Sequence, residues 1–206
     1  MTDSAEPDGE LDAQELMFLA LRAMEQDRDD DAIRMLKQAL LLEPESGILH
    51  HLLGAMYAQI GMIDRAVEEM TQACAYNPQL DMARFQLGML HFTSANIDAA
   101  TAAWAPLLER PEDDPLWLFV SGLERLARDE FEVSIDLLSR GLERNTEHPS
   151  LNSDMQMVRE MAQQALAERR AGGTAGSAAA AASADAPADA GKHVLLSGYQ
   201  GLSGKQ

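Results

Sequence analysis

Four small residues stand at equal intervals along the chain: Ala20, Gly54, Gly88 and Gly122 are each 34 positions apart. Other columns keep the same register. One position earlier stand Leu19, Leu53, Leu87 and Ser121, and twelve positions later Ala32, Ala66, Ala100 and Ser134. Four further on come Leu36, Met70, Trp104 and Leu138, followed by Ala39, Ala73, Leu107 and Gly141. A period in this range means stacked supersecondary units, each too small to bury its own apolar face. The columns have a packing logic. A Gly or Ala on the first helix of a unit lets the second approach closely, a small residue on the second reciprocates, and a large residue fills the space between.

The apolar periodicity within each unit predicts helices at about 12–26, 30–42, 47–60, 63–76, 80–93, 97–109, 115–128 and 131–144, with a further helix at 150–170. Pro44 and Pro78 close the first two units, since proline lacks a donor and restrains its predecessor. Pro106 falls inside a predicted helix, and a kink or break is expected there.

Over residues 13 to 148 the chain resembles the tetratricopeptide repeat family. The second unit carries the fullest pattern, with Leu53, Gly54, Tyr57, Gly61, Ala66, Ala73 and Pro78 at motif positions, and the first keeps Leu19, Ala20, Ala32, Ala39 and Pro44. The third has Glu112 in place of the closing proline, and the fourth has Ser121, Arg125, Ser134, Gly141 and Thr146 at motif positions. The resemblance implies an all-α, right-handed helical solenoid of about four repeats: 13–46, 47–80, 81–114 and 115–148 within a domain spanning 12–148. Residues 149–170 are expected to cap the last repeat, because a solenoid end must cover its exposed face. Residues 1–11 are acidic and read as disordered. Residues 171–190, rich in Ala, Gly and Ser, read as a linker. The last segment, 191–206, differs in character. Val194, Leu195, Leu196, Tyr199 and Leu202 form an apolar island with Lys192 and Lys205 and no acid. It reads either as a random tail or as a tethered interaction motif, able to bind its own groove or a second partner.

The resemblance also implies a concave face lined by the fifth, ninth and twelfth positions of each first helix. These are Met17, Leu21 and Met24; His51, Ala55 and Ala58; Phe85, Met89 and Phe92; and Phe119, Leu123 and Leu126. Members that clamp a peptide carboxylate place Lys, Arg and Asn there. This chain has none of these at those positions, so an apolar or amphipathic segment of a partner protein is the expected guest. Twelve methionines suit an adaptable apolar surface. The opposing reading places the same side chains in the core.

Composition narrows the function classes. Sixteen basic residues against 34 acidic give a formal charge of −18, with the basic residues scattered singly apart from the Arg169–Arg170 pair, which disfavours nucleic acid and anionic membrane surfaces. No apolar stretch approaches the roughly 20 residues of a membrane span, and the polar, acidic start is unlike a signal peptide. A cytoplasmic protein is expected. Nothing is arranged for catalysis. Cys74, the only cysteine, follows Ala73 on a helix and reads as a small packed residue. His50 and His51 are adjacent and point about 100° apart on a helix, a poor metal pair. His91 reads as a packed ring, and the Asp29–Asp31 and Glu112–Asp114 runs suit helix N-termini rather than a cation. No enzyme activity, metal or cofactor is expected. The expected role is a protein-binding adaptor, scaffold or assembly factor. A secretion-type chaperone for an aggregation-prone client and a regulatory subunit of an enzyme complex stay open beside it.

Overall fold

The computed structural model describes residues 11–171. The acidic start, most of the linker and the apolar island at Val194–Leu202 lie outside the described residues. Within them there are nine α-helices and no strand. They are α1 (Ala13–Met24), α2 (Asp29–Leu42), α3 (Gly47–Gln59), α4 (Ile63–Tyr76), α5 (Asp81–Thr93), α6 (Ile97–Trp104), α7 (Pro115–Ala127), α8 (Phe131–Arg144) and α9 (Pro149–Arg170). The α1/α2, α3/α4, α5/α6 and α7/α8 pairs are the four repeats. Each packs on the next, α2 on α3 and α4 on α5, while α9 packs on α8. The helix ends fall within two residues of those predicted, except at Pro106. There the α-helix stops at Trp104 and a tight 3-10 segment, Ala105–Glu109, completes the unit. The proline tolerates this arrangement because it sits in the first turn of that segment, where no backbone donor is needed.

The small-to-large columns are the contacts that hold each pair together. A Cβ built on Gly54 would lie 3.0 Å from Met70 Cγ, and one on Gly122 2.9 Å from Leu138 Cγ. At Gly88 the fit is tightest, with a Cβ falling 2.0 Å from Trp104 Nε1. The indole lies against that bare backbone and donates its N–H to the Phe85 carbonyl at 3.0 Å. Ala20, Ala32, Ala66 and Ala100 are completely buried, as the reciprocal small positions require.

The first-helix ends of the four repeats share one turn. Asp27, Gly61, Ala95 and Asp129, again 34 apart, have φ of 55°, 78°, 59° and 57°. At each, the next residue returns its N–H to the helix: Arg28 to Ala23, Met62 to Tyr57, Asn96 to His91 and Glu130 to Arg125. This left-handed cap satisfies the orphan carbonyls of the helix end. The second helices then begin without a side-chain cap.

The core divides at α5. Leu87 and Leu90 belong with the first two repeats, and Phe85, Met89 and Phe92 with the C-terminal half. At the far end Leu151, Met155 and Ala162 of α9 are completely buried. Arg169 donates to the Asp129 carbonyl and Arg170 pairs with Glu132, tying the end of α9 to the α7–α8 turn.

Candidate functional site

The expected concave wall proves mostly interior. His51, Phe85, Met89, Phe92, Phe119, Leu123 and Leu126 are buried, as are Ala55 and Ala58. The physical reason is visible in the third and fourth repeats. Phe85 and Phe92 pack their rings on Trp104, with centroids 6.5 and 5.9 Å apart. Phe119 fills the space over Gly141, where a Cβ would come within 2.5 Å of its ring. These side chains mate with their own unit's second helix, so charged replacements at Phe85, Met89 or Phe119 would disturb the core before reporting on a partner. Only Met17, Leu21 and Met24 of the predicted groove residues are partly accessible. The apolar segment at Val194, Leu195, Leu196, Tyr199 and Leu202 lies outside the described residues.

What remains as a surface is α1. It opens with a capping box in which the Asp12 carboxylate accepts from the Glu15 N–H and the Glu15 carboxylate from the Asp12 N–H. Ala13, Leu16, Ala20 and Ala23 form its buried stripe. At 100° per residue, Met24 and Met17 flank that stripe, Leu21 lies further round, and Phe18 reaches the side opposite the core. The apolar arc of α1 is thus wider than the part its own repeat covers.

The repeat register shows what is missing. In the column of Phe18 stand Leu52, Gln86, Val120 and Asp154, each at most 4% exposed, because a preceding helix pair lies over it. Phe18 itself is 56% exposed. The column of Leu19 behaves alike, with Leu53, Leu87, Ser121 and Met155 buried against 36% exposure at Leu19. Two further columns change chemistry instead. Glu15 replaces the apolar Leu49, Ala83, Trp117 and Leu151, and Arg22 stands where the second and third repeats have Met56 and Leu90 and the fourth has Glu124. The Arg22 guanidinium lies 5.9 Å from the centre of the Phe18 ring. The end is therefore half polar cap and half apolar patch.

The polar groups of the interior have structural partners. His50 and His51 diverge as expected: His50 contacts Glu69 Oε2 at 2.6 Å and the Pro44 carbonyl at 3.0 Å, and stacks on Tyr76. His51 reaches across the repeat boundary to Gln86 Oε1 at 2.6 Å. That oxygen only accepts, so Nε2 carries the proton. Burial pushes the His51 pKa down to about 4, against a smaller opposing effect of the Gln86 bond. Between pH 6.5 and 4 the unfolded ring therefore holds more protons than the folded one, and stability falls as the pH drops through that window. Between pH 8 and 5 the loss from this ring is about 2 kcal/mol. Urea unfolding at the two pH values should show it, and His51→Gln should lose most of that dependence.

Cys74 is half-buried, and burial raises its thiol pKa while the Arg84 charge opposes this, the reverse of an activated thiolate. Asp114 caps α7, accepting from the Leu116 and Trp117 N–H groups. Burial raises its carboxyl, but Arg110 and those backbone donors together hold it below its ordinary value. Asp29, Asp30 and Asp31 occupy the first turn of α2. Among the described residues no group of three or more His, Cys, Asp or Glu could hold a metal ion, and no helix is long and apolar enough to cross a membrane.

No family profile and no curated protein matches the chain. Solved structures do. The crystal structure of MamA aligns with a TM-score of 0.55 and 21% identity, covering 64% of this chain and 77% of that one. A MamA RS-1 ArsTM double mutant aligns with a TM-score of 0.58 and 15% identity, covering 93% and 97%. The fold is a tetratricopeptide-type helical solenoid. At these identities the likeness extends to the fold and no further.

Proposed function

We propose that this solenoid is a protein-interaction scaffold that engages an apolar or amphipathic segment of a partner protein along α1. The observation that carries this reading is the exposed Phe18 ring on α1, beside the partly accessible Met17, Leu21 and Met24. Its counterparts in the Phe18 column of the later repeats all lie beneath a neighbouring unit. A surface of this kind, with Met17, Leu21, Met24 and Phe18 interspersed with Gln14 and Glu25 and edged by Glu15 and Arg22, suits one face of an amphipathic helix, with the charged groups setting orientation. Two methionines within it give it the adaptability to accept an irregular guest. The acidic balance of the whole chain favours a basic or neutral partner over an acidic one. The single cysteine, which allows no disulfide within the chain, fits a protein acting in the cytoplasm, which is where we place it.

Capture from a lysate of the native host, with Met17→Asp, Leu21→Asp and Phe18→Asp variants alongside, tests the reading. Phe18 is exposed, so Phe18→Asp should leave helical content and unfolding midpoint nearly unchanged, whereas Met17 and Leu21 pack partly on the core and their variants are compared with the parent at matched folded fraction. A specific partner should be retained by the parent chain and lost from the variants. The partner's contact region, mapped by proteolysis of the complex, should be an apolar or amphipathic segment. Equal capture by all four proteins would overturn the assignment to α1.

A further inference from the structure

We infer that the α1 surface is covered in cis by the chain's own segment 191–206, so that an external guest must displace it. The inference rests on the reading of α1 as a docking surface and adds its resident occupant.

Two segments of this chain lie outside the described residues and differ sharply in what they could offer. The start, MTDSAEPDGE, has four acids and almost no apolar side chain, and nothing in it could cover Phe18 or Leu21. The segment GKHVLLSGYQGLSGKQ has Val194, Leu195, Leu196, Tyr199 and Leu202, with Lys192 and Lys205 and no acid. It complements α1 in both respects. The apolar island matches Met17, Leu21, Met24 and Phe18, and the lysines match Asp12, Glu15 and Glu25 beside them and Asp29 and Asp30 at the start of α2, where Asp31 already pairs with Arg28 and Arg34.

Reach is sufficient. The described chain ends after α9, whose last turn is tied to the α7–α8 turn of the fourth repeat. Helix pairs stack about 10 Å apart, so the first repeat lies roughly 30 Å away. The intervening residues 171–190 are Ala, Gly and Ser with little else. A random chain of that length spans about 25 Å r.m.s. and at most about 65 Å when drawn out. The apolar island can therefore meet α1 at an effective concentration of about 1 mM. A segment with an intrinsic Kd of about 0.1 mM would then occupy its own surface most of the time, and a competing peptide would bind about tenfold more weakly than to an uncovered surface.

Methyl NMR of methionine-labelled protein tests this directly, because Met17 and Met24 report from inside the surface. The full chain is compared with a chain ending at Ala190 and with a full chain carrying Leu195→Asp and Leu196→Asp. The Met17 and Met24 methyls should shift in both variants. Adding the synthetic peptide 191–206 to the shortened chain should restore them, whereas the full chain should bind that peptide about tenfold more weakly. In the full chain their positions should be the same at low and high protein concentration. Unmoved methyls, or shifts confined to methionines elsewhere, would overturn the inference. Shifts that grow with concentration, alongside a doubled mass in light scattering, would assign the cover to a second copy and overturn the cis arrangement. The readout needs no partner, so the two proposals fail separately. Capture that depends on α1 with unmoved methyls leaves the scaffold reading standing, and moving methyls with capture indifferent to α1 leaves only the cis contact.

Discussion

Replacing Trp104 with alanine should cost roughly 3–5 kcal/mol and produce the largest single loss of stability in the third repeat. The indole is 1% exposed, packs against Phe85 and Phe92, and donates its N–H to the Phe85 carbonyl. Truncation leaves a cavity at the centre of the C-terminal core and removes that bond as well. Gly88 is the other half of the contact. Gly88→Ala would ordinarily stabilise a helix by up to about 1 kcal/mol, yet here its Cβ falls 2.0 Å from Trp104 Nε1. Displacing the indole should outweigh the propensity gain and leave a net loss of about 1–3 kcal/mol. A double-mutant cycle separates local packing from backbone preference. In a Trp104→Ala background, where the indole is gone, Gly88→Ala should become neutral or stabilising. Urea denaturation of the four proteins measures this. Additive losses would mean that the column is not the contact described here.

The second large effect lies in α9, at the C-terminal end of the described solenoid. Leu151 and Met155 of α9 are completely buried, and each replaced by alanine should lose roughly 2–4 kcal/mol. A solenoid's stability is close to a sum over neighbouring units, so the damage should stay local. Hydrogen exchange should show α7, α8 and α9 opening together at lower free energy, while α3 and α4 keep their protection. Uniform loss of protection across all four repeats would instead indicate a single cooperative block.

Trp104 and Met155 also show how far the chain alone could be read. Trp104 falls in the same column as Leu36, Met70 and Leu138, facing Gly88, and the size complementarity of those columns is a property of sequence spacing alone. The same spacing predicted helix boundaries to within two residues, and Pro106 announced the break at Trp104 because its missing donor acts locally. The left-handed turn at Asp27, Gly61, Ala95 and Asp129 was harder to see. Only one of the four is glycine, and two are aspartates that tolerate the conformation. Ala95 adopts it at a cost of about 1 kcal/mol because the units on either side impose the turn.

The groove was the part misplaced. Positions five, nine and twelve of a first helix are apolar both when they line an open face and when they pack on the second helix, and hydrophobicity does not distinguish the two. Phe85 and Phe119 went inward because Trp104 and Gly141 offer them space. Phe18 stayed outside although its column is interior everywhere else. No pattern within α1 reveals that, since the exposure comes from the absence of a preceding unit among the described residues. Periodicity determined the helices, their pairing and the order of stacking, because each depends on residues near one another along the chain. Which apolar side chains are left for another molecule was decided only by the assembled solenoid, because burial depends on neighbours that sequence distance does not reveal.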